Sequence, residues 1–224
     1  VNSLLQGRVD GIIGVFFHLS AKDLLPLLEQ GIAVVRLEAT PKKAGELPLD
    51  NLYINNVAAA KKAVTYLIDK GHRRIAMLTS HEGPARFRLQ GYQEALKAHG
   101  LKLDKSLILS GPFNETGGYE TMQTLLKLKP IPSALFAAND LMAMGAMVAI
   151  REAGFEIPKD IAVIGFDNIP AAKLMQPALT SMDQFQHTMG KRAAEMLFER
   201  LKAQHVMKGR SVEMPYELIP REST

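Results

Sequence analysis

The sequence predicts an α/β protein with mainly parallel sheets, on three observations. Short apolar runs alternate with amphipathic stretches of roughly 10–15 residues, the pattern of repeated βαβ units. Several of the apolar runs are hydrophobic almost throughout, as strands are when helices cover both faces of a sheet. The last quarter of the chain departs from this rhythm, so the chain is not one uninterrupted series of βα units.

Val9 to Val15 reads as a buried strand, and Asp23 to Gln30 as a helix stopped by Gly31. Ile32 to Leu37 is the next strand. Thr40 to Asp50, with Pro41, Gly45 and Pro48, is a loop. Asn51 to Asn55 is a short strand, followed by a helix from Val57 to Lys70 that ends at Gly71. Arg74 to Leu78 is a strand, and Ala85 to His99 a helix stopped by Gly100. Leu107 to Ser110 is a strand, and Asn114 to Leu128 a helix with Pro130 and Pro132 just beyond. Ser133 to Ala138 is a strand, Asp140 to Ala153 a helix closed by Gly154, and Ile161 to Phe166 a strand. In the tail, Thr180 to Gln184 reads as extended, His187 to Ala203 as an amphipathic helix, and Val212 to Ile219 as a single strand.

Composition narrows the chemistry. The 224 residues include no cysteine, which excludes a disulfide scaffold, a thiolate zinc site, an iron–sulfur cluster and a cysteine nucleophile. The net charge of +4 is slight and spread along the chain, so it does not by itself imply nucleic acid. No apolar run approaches the ~20 residues of a membrane-spanning helix. The opening Val1-Asn2-Ser3-Leu4-Leu5 carries neither an initiator Met nor a signal-peptide pattern, and reads as the end of a helix already under way in a longer protein.

Ligands of open α/β sheets bind beyond the carboxyl ends of the strands. The residues expected there are Phe16, Phe17 and His18; Glu38; Asn55 and Asn56; Ser80 to Arg88; Gly111 to Asn114; Asn139 and Asp140; and Asp167 and Asn168. No G-x-G-x-x-G, no G-x-x-x-x-G-K-[ST] and no G-x-S-x-G occurs among them, and the six histidines are scattered. Neither a metal site, a cofactor nor an enzyme is expected. What these positions offer is hydrogen bonding with apolar walls. Arg88 supplies a planar donor fork, Asp167 an acceptor, and Asn139 and Gln184 both functions, with Phe16, Phe17 and Phe113 as walls. That mixture suits a neutral ligand rich in hydroxyls or a heterocycle. Each residue also has a plainer reading. Arg88 could pair with Glu94 on a helix surface, Asp167 could cap a turn before Pro170, and Asn139-Asp140 could cap the helix that starts there.

Seven motifs in order resemble the effector-binding domain of the LacI/GalR transcriptional repressors. They are Arg8-Val9-Asp10-Gly11-Ile12-Ile13; Leu67-Ile68-Asp69-Lys70-Gly71-His72-Arg73-Arg74-Ile75-Ala76; Arg88-Leu89-Gln90-Gly91-Tyr92; Asn139-Asp140-Leu141-Met142-Ala143-Met144-Gly145-Ala146; Ile157 through Val163-Ile164-Gly165-Phe166-Asp167; Pro177-Ala178-Leu179-Thr180-Ser181; and Glu217-Leu218-Ile219 through Ser223-Thr224. The resemblance implies the type I periplasmic-binding-protein fold. That fold has two Rossmann-like lobes with parallel sheets, joined by three crossovers, with an effector cleft between them. It assigns residues 1–54 plus 187–211 to the first lobe, incomplete at its N-terminus. Residues 55–186 plus 212–224 make the second.

The same resemblance implies effector contacts at Arg88, Asp167, Asn139 and Gln184, with Phe16 and Glu38 at positions where the family varies. It implies a sugar, sugar phosphate, nucleoside or purine as effector and no cofactor. It also implies a homodimer formed through the first lobe and a cytoplasmic location. Operator DNA would be bound by a helix-turn-helix domain that would precede Val1. The position that reads Asp-Asn in the family reads Asn55-Asn56 here, one carboxylate fewer. The competing expectation is a periplasmic sugar-binding protein of a transporter, built on the same fold.

Overall fold

A computed structural model describes residues 9–16, 19–20, 22–38, 47–203 and 205–224. Phe17, His18 and the expected loop between residues 40 and 46 lie outside the described residues. The chain divides into two compact units: Val1–Asn55 with Phe185–Pro215, and Asn56–Gln184 with Tyr216–Thr224.

Unit 1 carries strands β1 (Gly11–Val15), β2 (Ala33–Glu38) and β3 (Asp50–Tyr53), the short helix α1 (Leu25–Glu29), and, from the tail, a long helix over 186–202 and a strand over 211–213. Its sheet order is β1-β2-β3 and then the 211–213 strand, all parallel. Leu24, Leu27, Ile32, Val34 and Leu49 form the core under α1. Asp50, expected in a loop, starts β3 instead and is fully buried. It survives there because Arg200 and Arg210 both reach it. Arg200 donates from Nε at 2.8 Å and Nη2 at 2.6 Å, and Arg210 from its backbone N–H at 2.9 Å and Nη2 at 2.7 Å. Burial raises a carboxyl pKa, but these hydrogen bonds outweigh it and hold Asp50 below the usual carboxylate range.

Unit 2 carries α2 (Asn56–Asp69), β4 (Ile75–Thr79), α3 (Ala85–Ala98), β5 (Ile108–Ser110), α4 (Glu115–Leu125), β6 (Ala134–Ala137), α5 (Asp140–Glu152), β7 (Ala162–Asp167) and β8 (Thr180–Asp183). The tail helix of unit 1 follows as α6 (Gln186–Lys202) with its strand β9 (Ser211–Glu213). The strand β10 (Glu217–Ile219) then returns to unit 2. The order of the unit 2 sheet is β10-β8-β7-β6-β4-β5, parallel except for β10, which runs antiparallel to β8. The single strand expected over Val212 to Ile219 is therefore two, in different sheets. Pro215 sits between them; it has no N–H to donate and cannot continue a ladder.

Alternation along the unit 2 strands sends Ala76, Leu78, Leu135, Ala137 and Val163 to one face, where they pack with Met122 and Leu125 of α4 and Met142, Ala146, Met147 and Ile150 of α5. Helices α4 and α5 touch at glycines. A Cβ on Gly118 would stand 2.0 Å from the Met142 carbonyl oxygen, and one on Gly145 would stand 1.9 Å from that of Glu115. The opposite face presents Phe166 and lies under α3, whose buried Tyr92 donates its hydroxyl to the Ile75 carbonyl at 2.8 Å. Helix ends follow local rules: Asn114 and Asn139 accept from the Gly117 and Met142 amides at 2.8 Å, and Gly100 and Gly154 close α3 and α5 at positive φ. The helix expected to reach Leu128 ends at Leu125.

Candidate functional site

Four of the six residues singled out in the sequence lie at the carboxyl ends of the unit 2 strands, and three of them, Arg88, Asp167 and Gln184, contact one another. Arg88 projects from the first turn of α3 and is 3% exposed, which removes the surface pairing with Glu94; Glu94 accepts from Gln90 instead. Its guanidinium lies over the Phe166 ring, 3.6 Å from the centroid. Nε donates to the Asn56 side-chain oxygen at 2.9 Å, and Nη1 donates to the Ala138 carbonyl at 2.5 Å. Nη1 also stands 3.3 Å from Asp167 Oδ1. The Gln184 side-chain amide donates to that same oxygen. No described residue takes a hydrogen bond from Nη2 of Arg88.

Arg88 is buried, Asp167 keeps 22% of its side chain exposed, and burial works against both charges. Burial pushes the Asp167 carboxyl up, against the opposing pull of Arg88 and Gln184. Burial likewise pushes the Arg88 guanidinium down, opposed by Asp167. The backbone is strained as well. Asp167 and Asn168 have φ of 114° and 52°, a region costly to residues with a Cβ and concentrated at binding and catalytic sites.

Asn139 serves the site and the helix at once. Its side-chain oxygen caps α5, and its amide donates to the Phe113 carbonyl at 3.3 Å. Phe113 is half-buried against the α4–α5 core. Phe16 and Glu38 belong to unit 1. The Phe16 ring folds over Gly14 and packs against the Leu24 core, and Glu38 ends β2 in an ion pair with Arg36.

Three participants escaped the reading of the sequence. Asn56 was noted as a strand-end residue but given no role, because nothing in the spacing shows that α3 turns Arg88 toward it. Phe166 looks like one more apolar residue of a buried strand. Asp140, which the sequence offers as a helix cap, accepts instead from Ser181 Oγ at 2.6 Å and from the Ile169 amide at 2.8 Å. Among the described residues no group of three or more His, Cys, Asp or Glu could hold a metal ion. None of the described helices is long and apolar enough to cross a membrane.

Residues 64–224 match the periplasmic binding protein-like domain family, and the fold is of that class. The chain belongs, within it, to the LacI/GalR family of transcriptional regulators. It is 38% identical over 183 residues to the HTH-type transcriptional repressor CytR of Escherichia coli K12, covering 81% of this chain and 53% of that protein. The transcriptional regulator CelR–cellobiose complex superposes with a TM-score of 0.87 at 32% identity, over 100% of this chain and 68% of that one. A LacI family transcriptional regulator from Enterococcus faecium with bound ribose also gives 0.87, at 26% identity, over 99% of this chain and 82% of that one. The chain thus spans about half the length of the curated repressor it matches.

Proposed function

We propose that this chain is the ligand-sensing part of a LacI/GalR-type transcriptional regulator, binding a small polar effector at the carboxyl ends of the unit 2 strands. The observation that carries this is the buried Arg88–Asp167 pair, held by Asn56, Ala138 and Gln184 and backed by Phe166. Donor and acceptor stand side by side, pre-oriented, which is the arrangement that reads adjacent hydroxyls or a heterocycle edge.

Asn139, Phe16 and Glu38 complete the proposed contact set. The two compact units are proposed as the two lobes implied by the resemblance. Effector binding then favours one of at least two states of the regulator, and changes operator affinity by the difference in its affinity for them. Operator binding by a helix-turn-helix domain, a homodimer through unit 1 and a cytoplasmic location belong to the same proposal. CytR, PurR and the ribose operon repressor, among its relatives, are repressors, in keeping with a binding protein that catalyses no reaction.

The test is thermal unfolding of the chain against ribose, cellobiose, adenosine, adenine and ribose 5-phosphate. A specific ligand at 100 times its Kd adds about 2.7 kcal/mol to stability. The expected result is a shift with one member of the panel that disappears in Arg88→Ala, while the far-ultraviolet circular dichroism of that variant is unchanged. Removing the guanidinium leaves Asp167 free to take a proton, so the variant loses about 1–3 kcal/mol and still folds. A full shift in Arg88→Ala refutes the site.

A further inference from the structure

The strand end that presents Asp167 is held from behind. Asp140, fully buried at the first turn of α5, accepts from the Ile169 amide on Oδ2 at 2.8 Å and from the Ser181 hydroxyl on Oδ1 at 2.6 Å. Ser181 Oγ in turn accepts from the Asn168 amide at 3.0 Å. The two amides that follow Asp167 therefore end, directly or through one hydroxyl, on a single carboxylate. This is the stretch where Asp167 and Asn168 depart into positive φ. The strand makes room for the arrangement: a Cβ on Gly165 would stand 2.2 Å from Asp140 Oδ1. An amide placed the same way could accept from only one of the two: its NH2 would face either the Ile169 amide, which is a donor only, or the Ser181 hydroxyl, which would have to turn its own proton away.

From this geometry we infer that Asp140 is a positioning residue for effector binding, acting through Ser181 and the Asn168–Ile169 amides to hold Asp167 against Arg88. The inference rests on the effector reading of the Arg88–Asp167 pair. It goes beyond that reading by assigning a role to a fully buried residue outside the proposed contact set. The ionisable groups that face Asp140 are Asp167 from β7 and Arg88 from α3, and β8 contributes the Ser181 hydroxyl. Protonation of Asp140 removes an acceptor from this relay. In a local opening that breaks these bonds while Asp140 stays buried, the hold on residues 168 and 169 therefore weakens as pH falls. This is the reverse of its effect on global unfolding, which exposes the carboxyl to water.

The test is residue-resolved amide hydrogen exchange on the whole chain, without ligand, at pH 6 and pH 8 and corrected for intrinsic rates. It compares the wild type with Asp140→Asn and Ser181→Ala. Asp140→Asn is expected to speed exchange at Asn168 and Ile169 at least tenfold at pH 8 while the amides of Met77 and Phe136 keep their protection. Ser181→Ala is expected to affect Asn168 more than Ile169. The wild type should show weaker protection at both amides at pH 6 than at pH 8, and Asp140→Asn no such difference.

Unchanged exchange at Asn168 and Ile169 in Asp140→Asn overturns the inference. So does an equal rise at Met77 and Phe136, which would make Asp140 a general stabiliser. Calorimetric titration with ribose forms the second arm. If ribose binds the wild type, Asp140→Asn should weaken it at least tenfold, and unaltered affinity overturns the inference. Absence of ribose binding in the wild type counts against ribose as the effector, and the exchange result alone then decides the role of Asp140.

Discussion

Both units bury charge, and they do so in opposite ways. In unit 1, Asp50 receives hydrogen bonds from two arginines and a backbone amide, and its pKa is held below the ordinary value of 3.8. In unit 2, Asp140 and Asp167 are raised, Asp140 to about 7, and the backbone beside them is strained. A saturated ion cluster ties β3 to α6 and the segment before β9. At the strand ends of unit 2 burial outweighs the hydrogen bonds that Asp140 and Asp167 accept. Buried charge is therefore no guide to function by itself; whether burial or hydrogen bonding wins at the carboxylate, beside a strained backbone, is the better guide.

The largest effect expected from this contrast is in unit 1. Asp50→Ala leaves the buried Arg200 guanidinium without its counter-ion and Arg210 with Glu199 alone. It should cost about 3–5 kcal/mol, measured by urea unfolding. A loss below about 1 kcal/mol would mean that the cluster is not saturated and would erase the contrast.

The pH dependence of the two units should carry opposite signs. Asp140 has a folded pKa of about 7 against an ordinary 3.8, so between those values the folded chain holds a proton that the unfolded chain has released. Its contribution is fully present below the unfolded value and is lost as pH rises toward 7, at no more than about 1.4 kcal/mol per pH unit. Asp50 has a depressed pKa, so its contribution is present above 3.8 and is lost as pH falls below it. Denaturant midpoints from pH 3 to 8 should show both limbs, and Asp140→Asn should flatten the one between pH 4 and 7. A variant curve superposable on the wild type would break the assignment.

The smallest effect lies at the surface of unit 2, where Lys159 and Glu156 pair at 2.9 Å with both side chains about two-thirds exposed. Lys159→Ala should leave the urea midpoint where it is in the wild type. A clear loss would show that exposed pairs matter here as much as buried ones.

Much of this was legible in the residues. Strands buried on both faces read as apolar runs, and glycines after amphipathic stretches marked helix ends at Gly100 and Gly154, because both signals are local in the chain. Arg88 and Asp167 came from their places at strand ends and from the family resemblance. The tail was misread where pattern alone had to decide. Val212 to Ile219 has the composition of one strand, yet β9 joins unit 1 and β10 joins unit 2. Asp50 looked like the end of a polar loop, since its two arginines lie about 150 residues away in sequence.

What the sequence determined by itself was the succession of strands and helices, their caps, and the polar groups at the strand ends. Those depend on neighbours within about four residues, through periodicity and backbone preference. What tertiary structure decided was which polar groups spend their hydrogen bonds on one another. Arg88 over Phe166, Asn56 on Nε, Asp140 behind Asp167, and Asp50 between two arginines all join residues from separate elements. A hydrogen bond is directional over less than about 3.2 Å, so only the packed chain could settle these pairings.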